Sequence, residues 1–391
     1  MRISLLTGGE DRHYAVGLAT SLVSRGVGVE FVGSDELDCP EVHGDPRLTF
    51  LNLRGDVSRE AGRRARIARV LRYYGRLLRY ASTAGPDVFH ILWNNRFQYF
   101  DRTVLTLYYR ALGKRIALTA HNVNAARRDA SDGVLNRLTL RCQYRLAHTI
   151  FVHTEKMKRE LIDDFGVRED AVTVIPYGIN NAVPNSGLSP TEAKARLGLA
   201  RHHKVLLAFG NIAPYKGLEY VVEAFQRLIQ DDPGYRLIIA GRPKRGAEGY
   251  LDVIRRTIDR GPGADCVIQR IEHIPDSETE CYFKAADLLL LPYTEIFQSG
   301  VLFFGYSFGL PVVAADVGSL SDDVIPGVTG EVCRPRDAGD LRRAVERYFS
   351  SDLFRDLDRR RADIRSLVTA RHSWDEVGER TKAAYDAVLQ S

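Results

Sequence analysis

At 391 residues the chain exceeds one ordinary hydrophobic core and points to two domains of roughly 180–200 residues each. Its 45% hydrophobic and 27% charged content is that of a soluble globular protein, and no apolar run reaches the length of about 18 residues that a spanning helix needs. A net charge of +5 hints at anionic ligands or an anionic surface without arguing for nucleic acid. Five scattered cysteines with no CxxC pair read as reduced thiols of a cytoplasmic protein.

Short strand-like runs alternate with helical patterns along the whole chain, which predicts parallel sheets flanked by helices. The opening segment is too short in its apolar part for a signal peptide and reads as a first strand, Ile3 to Thr7. Gly8 and Gly9 follow without a third glycine, so a dinucleotide fingerprint is absent. Further strands are predicted at Val27 to Val32, Val88 to Leu92, Ile116 to Ala120, Thr149 to Val152 and Val172 to Ile175.

Between the second and third of these lies a helical stretch, Ile67 to Tyr80. At 100° per residue, Ile67, Val70, Leu71, Tyr74, Leu77 and Leu78 share one face, with Arg69, Arg72, Arg76 and Arg79 opposite. Such a stripe could rest on anionic lipid or meet a lipid-linked pyrophosphate; a solvated charged face is the plainer reading. His121 follows a strand and is a candidate to face a ligand, whereas His90, His153 and His273 read as structural.

Asn180 to Ser189, rich in Asn, Pro, Gly and Ser, is the expected linker, followed by a helix begun by Ser189 and closed around Gly198. Six more strands are predicted: Val205 to Phe209, Leu237 to Ala240, Val267 to Gln269, Leu288 to Pro292, Val312 to Ala314 and Glu331 to Cys333. After the first comes Gly210 to Gly217, a glycine-bounded loop with Lys216, leading into a helix from Leu218 to Leu228. A strand, such a loop and a helix start aim amide N–H groups and a cation at a phosphate. A second turn of this kind, Gln298-Ser299-Gly300-Val301, follows the strand at Leu288. The two together suggest a diphosphate at strand C-terminal ends. The one Asp-x-Asp, at Asp356 to Asp358, sits in an Arg-rich helical run and reads as solvated rather than metal-binding.

These segments resemble the retaining glycosyltransferases of the GT-B fold, in particular the family 4 group that uses nucleotide-sugar donors. The likeness runs from Leu118 to Asn122, through Val174 to Ile179, Gly210 to Gly217, Ala240 to Arg242 and Ala285 to Tyr293, and is densest from Gln298 to Gly318. It implies an α/β architecture of two doubly wound, Rossmann-like domains facing a central cleft. Residues 1–182, with a returning helix at 373–391, would form the acceptor domain and residues 183–372 the donor domain.

The likeness also implies roles. Gly210, Asn211, Lys216, Arg242, Ser299, Gly300 and Val301 would hold the donor, with Gly8 and Gly9 on the acceptor side. His121, Lys216 and Glu295 would be catalytic. The chain departs from the pattern at Asn211, where the family has an arginine, and at Phe304, where it has its second glutamate; Glu295 lies one residue from the place of the first. The implied activity is transfer of a sugar from a nucleotide-diphosphate sugar to a glycan or lipid-linked acceptor in surface polysaccharide synthesis. No metal cofactor is expected, and a peripheral membrane contact is compatible. A nucleotide-sugar epimerase and a non-catalytic binding protein are the rival readings.

Overall fold

The computed structural model describes residues 1–8, 11–56, 62–128, 131–179, 185–296 and 298–390. The chain divides into two compact units, Met1–Gly178 with His372–Ser391, and Ile179–Arg371.

The first unit is built on a parallel sheet of β1 (Arg2–Leu6), β2 (Gly28–Gly33), β3 (Leu48–Asn52), β4 (Val88–Ile91), β5 (Arg115–Thr119), β6 (Thr149–Val152) and β7 (Val172–Val174), in the order β3-β2-β1-β4-β5-β6-β7. Strands covered by helices on both faces read as unbroken apolar runs. Accordingly β4 and β6 are buried along their whole length.

The second unit repeats the plan with β8 (Lys204–Phe209), β9 (Tyr235–Ala240), β10 (Val267–Arg270), β11 (Leu288–Leu291), β12 (Val312–Ala315) and β13 (Gly330–Cys333), ordered β10-β9-β8-β11-β12-β13. Both units are thus Rossmann-like, and together they make the GT-B fold. In each sheet the order reverses once, between β1 and β4 and between β8 and β11. Ligands of doubly wound sheets bind at the strand C-terminal ends beside such a reversal.

The sequence predicts twelve strands, and the described residues form thirteen. β3 pairs with β2 at the sheet edge, and its burial is mixed, with Leu48 buried, Phe50 and Leu51 half-buried and Thr49 and Asn52 exposed. An edge strand half open to water carries no continuous apolar run, so the pattern that marks its neighbours is missing. The helix after the linker runs Pro190–Arg196 with a full capping box between Ser189 and Glu192, and Gly198 takes φ 72° just beyond it. Residues 180–184 of the expected linker lie outside the described residues.

The closing helix, Trp374–Gln390, packs within the first unit. Trp374 lies where a Cβ on Gly17 or Gly178 would collide with its ring, and Ser21 Oγ donates to the Trp374 carbonyl. Tyr385 reaches the sheet core, where its hydroxyl meets His90 Nδ1 at 2.5 Å while His90 Nε2 meets Thr119 Oγ1 at 2.7 Å. Burial holds His90 down at about 3, a neutral structural ring.

The second unit is braced by charge instead. Asp287, just before β11, accepts from Lys194 Nζ at 2.8 Å and from the Val205 amide at 2.8 Å, and Lys194 also donates to the His203 carbonyl. Burial raises the Asp287 carboxyl while Lys194 holds it down. Asp356 separates the helices Asp352–Arg355 and Leu357–Arg371, Asp358 stands in the first turn of the second, and both residues are exposed.

Candidate active site

The loop after β8 leaves its strand at Gly210, whose φ of 100° only glycine adopts without strain. It passes under the loop after β9, where a Cβ on Gly241 would stand 2.0 Å from the Gly210 carbonyl oxygen. Close main-chain stacking of these two loops therefore requires Gly241. The loop ends at Gly217, φ 68°, where a Cβ would stand 2.2 Å from the carbonyl oxygen of Pro292, the residue that follows β11. Glycines at 210 and 217 thus let the β8 loop lie directly against the β11 loop.

Lys216 is brought to Tyr293 by this approach. Its ammonium donates to the Tyr293 hydroxyl and lies 4.2 Å from the centre of that ring. Tyr293 is fully buried, and burial keeps its phenol protonated and neutral. Ser299 Oγ donates to the same oxygen at 3.3 Å. Ser299 is the N-cap of the helix Gly300–Ser307, yet no side chain caps that helix, because the hydroxyl is turned toward Tyr293. The Gly300 and Val301 amides stand in this first turn, and the Val301 side chain lies 3.3 Å from the position of a Cβ on Gly210. The two predicted turns are therefore neighbours, linked by a tyrosine that motif spacing did not single out.

Other expected donor residues sit around this junction. Asn211 is exposed on the loop. Arg242 is exposed, and its carbonyl accepts from the Ile212 amide at 2.8 Å, so its loop runs beside Gly210 to Gly217. Lys244, two residues on, has its ammonium 5.8 Å from the Tyr215 ring and adds a cation that motif spacing overlooked. Glu295 is half-buried in the segment between β11 and the Gly300–Ser307 helix.

Phe304 has a packing role: its ring lies 4.7 Å from Phe283, 5.5 Å from Phe308 and 6.1 Å from Phe209 at the end of β8. Gln298 donates to Asp323 at 3.2 Å, and burial pushes the Asp323 carboxyl up to about 7. Among the described residues no group of three or more His, Cys, Asp or Glu could hold a metal.

The switch point of the first unit gathers rings. Gly8, φ 63°, follows β1 so closely against Trp93 that a Cβ would stand 2.5 Å from the Trp93 carbonyl oxygen; Gly9 lies outside the described residues. Trp93 follows β4 and stacks on His121, which follows β5, with ring centres 4.4 Å apart and planes 5° from parallel. Tyr14 meets the His121 ring edge-on at 4.6 Å. His153, expected as a structural ring, lies at the end of β6 with its Nε2 3.1 Å from His121 Nδ1.

His153 Nδ1 is 3.4 Å from the Ile175 carbonyl, which can only accept. That order of donors makes His121 Nδ1 the donor to His153 and leaves His121 Nε2 as an acceptor. This nitrogen is buried and has no partner among the described residues. Burial, and then the neighbouring His153, hold His121 well below the usual imidazole range, and burial holds His153 at about 4.

Two family descriptions match this chain. Glycosyltransferase Family 4 matches residues 12–183, and Glycosyl transferases group 1 matches residues 203–351. The first match takes in most of the first unit and the second most of the second. Among curated relatives, the D-inositol 3-phosphate glycosyltransferase of Nocardia farcinica is 30% identical over 252 residues, covering 62% of this chain and 53% of that protein. That of Corynebacterium diphtheriae is 26% identical, covering 69% and 65%. The chain thus spans about half the length of the first of these relatives.

Solved structures align over nearly the whole chain. Anabaena HepE in complex with UDP and glucose gives a TM-score of 0.75 at 15% identity, covering 99% of this chain and 100% of that one. Sucrose-phosphate synthase from Thermosynechococcus elongatus gives 0.73 at 17%, covering 100% and 99%. At these identities the likeness shows the fold.

Proposed function

We propose that this protein is a retaining glycosyltransferase that moves a sugar from a nucleotide-diphosphate sugar to a hydroxyl of a glycan or lipid-linked acceptor. The observation that carries the reading is the junction of Lys216, Tyr293 and Ser299 beside Gly210, at the sheet reversal of the second unit. A departing nucleoside diphosphate gains negative charge as the glycosidic bond breaks. A cation and helix-start amides held at one place stabilise that charge without rearranging. Lys216 would meet the diphosphate oxygens, with its stem held by Tyr293. The Ser299, Gly300 and Val301 amides would do the same at a helix N-terminus. Arg242 and Lys244 would replace the cation that Asn211 does not provide.

In the first unit, His121 would accept a hydrogen bond from a sugar or acceptor hydroxyl through Nε2, the only unspent polar atom of its ring. Charge neutralisation by lysine, arginine and helix dipole leaves no step that requires a metal. A UDP-sugar donor is supported by the bound ligands of HepE; the names of the curated relatives favour, as a second reading, a phosphorylated polyol in place of the glycan or lipid-linked acceptor.

The test is incubation with a panel of UDP-, GDP- and dTDP-sugars, with and without acceptors, following both release of nucleoside diphosphate and the anomeric configuration of the product. Transfer with retained configuration is expected. Interconversion of the nucleotide sugar with no acceptor present would identify an epimerase. Binding without turnover would identify a non-catalytic scaffold.

A further inference from the structure

Large apolar side chains that stay exposed are usually scattered. Here they are not. Of fourteen exposed large hydrophobic residues among the described ones, ten lie between residues 67 and 138 of the first unit. Helix Arg63–Thr83 illustrates the change along one face: Tyr74 and Leu77 are buried, while Leu71, one turn earlier, is 60% exposed and Ile67 is exposed with it.

Phe97 stacks on Tyr74 at 5.3 Å and is itself exposed, so the patch continues onto the segment that follows β4. From there Arg102 Nη1 donates to Asn136 Oδ1 at 2.8 Å, which ties in the helix Val134–Leu146. That helix begins with Val134, 77% exposed, and with Leu135 and Leu138, both exposed.

The same stretch is intensely basic. Residues 62–146 hold 17 Lys and Arg against four Asp and no Glu, in a chain whose totals are 55 and 50, so the remainder is net acidic. Arg72, Arg76, Arg79, Arg96, Arg141 and Arg145 are exposed on the same three segments as the apolar side chains.

We infer that this three-segment surface docks on an anionic lipid bilayer. Exposed aliphatic tips on segments that also expose many guanidinium groups match an acyl boundary beneath anionic headgroups. A nucleic acid would engage the arginines and leave Leu71, Val134 and Leu135 wet. A second copy of this chain would set like charge against like charge. Among the described residues no helix is long and apolar enough to cross a membrane, so the contact is peripheral.

The inference is independent of the donor reading. Its test is co-sedimentation of the full chain with vesicles of pure phosphatidylcholine and with vesicles of roughly one third phosphatidylglycerol, at rising salt. Binding to the anionic vesicles alone, weakening with salt, is expected. Leu71→Ser with Val134→Ser and Leu135→Ser should lower it about tenfold. Arg72→Glu or Arg76→Glu should each lower it at least about fivefold, and Arg72→Lys should retain it.

All variants should keep the parent Tm and the parent thermal shift with free nucleotides, which separates this surface from the donor site. Absence of binding, equal binding to both vesicle types, or binding unchanged in both sets of variants would overturn the inference. So would a concentration-dependent dimer, seen by light scattering, that the same variants abolish without any vesicle binding.

Discussion

At the sheet reversal of the first unit the chain assembles neutral rings: Trp93 on His121, Tyr14 against its edge, and His153 behind it, with the imidazoles held uncharged by burial. At the reversal of the second unit it assembles cations and main-chain donors: Lys216 on Tyr293, Arg242 and Lys244 close by, and an uncapped helix start. The frameworks differ in the same way, with a neutral His90–Tyr385 contact in one core and a Lys194–Asp287 ion pair in the other. One topology therefore carries two chemistries. The strand order places the loop ends, and the loop residues decide whether the place suits a hydroxyl or a phosphate.

The comparison can be broken most severely at the charged framework. Lys194→Met leaves the Asp287 carboxylate buried beside the Val205 amide without its cation, and a loss of about 3–5 kcal/mol is expected in denaturant unfolding. Asp287→Asn in the same chain should restore part of it. If Lys194→Met unfolds like the parent, the second unit is not braced by charge.

Lys216→Ala removes the fixed cation and should lower kcat about 100- to 1,000-fold with little change in Tm, measured by nucleotide release. Full activity in this variant would remove Lys216 from the mechanism. In the first unit, His121→Ala should lower turnover about tenfold to a hundredfold while leaving the thermal shift with free nucleotide intact. His153→Phe, which keeps the packing but ends the hydrogen bond to Nδ1, should lower kcat more than it raises KM. An equal effect of both variants on nucleotide binding would place the rings on the donor instead.

The pH dependences should run in opposite directions. His90 and His153 have folded pKa values depressed to about 3 and about 4, so the stability they contribute is full above the unfolded value near 6.5 and is lost as pH falls toward 4. Asp323 is raised to about 7, so its contribution is full below about pH 4 and is lost as pH rises through 7. Imidazole NMR shifts should show both histidines neutral at pH 5. Asp323→Asn should flatten the decline between pH 4 and 7, which runs at roughly 1.4 kcal/mol per pH unit at its steepest. An unchanged pH profile in that variant would contradict the buried acid.

Legibility in the sequence followed physical range. Strands covered on both faces, such as β11 with its four leucines, announce themselves, while the edge strand β3 does not. The turn that carries Lys216 was legible from the glycines at 210 and 217, because a tight turn at a strand end is a local property. Tyr293 was not, since it lies 77 residues from Lys216 and contributes no spacing motif of its own. His153 likewise became a neighbour of His121 only because β5 and β6 are adjacent. Phe304, which stands in a glutamate's place, proves to fill space among Phe209, Phe283 and Phe308.

From sequence alone came the alternation of strand and helix, the glycine-bounded turns and the arginine stripe between Ile67 and Tyr80, because each is encoded within a few residues of chain. Tertiary structure decided which turns meet, which imidazole nitrogen is left without a partner, and that Leu71 is bare while Tyr74 on the same face is buried. Those outcomes depend on strand order and on what packs against each face, and neither is a property of any local stretch.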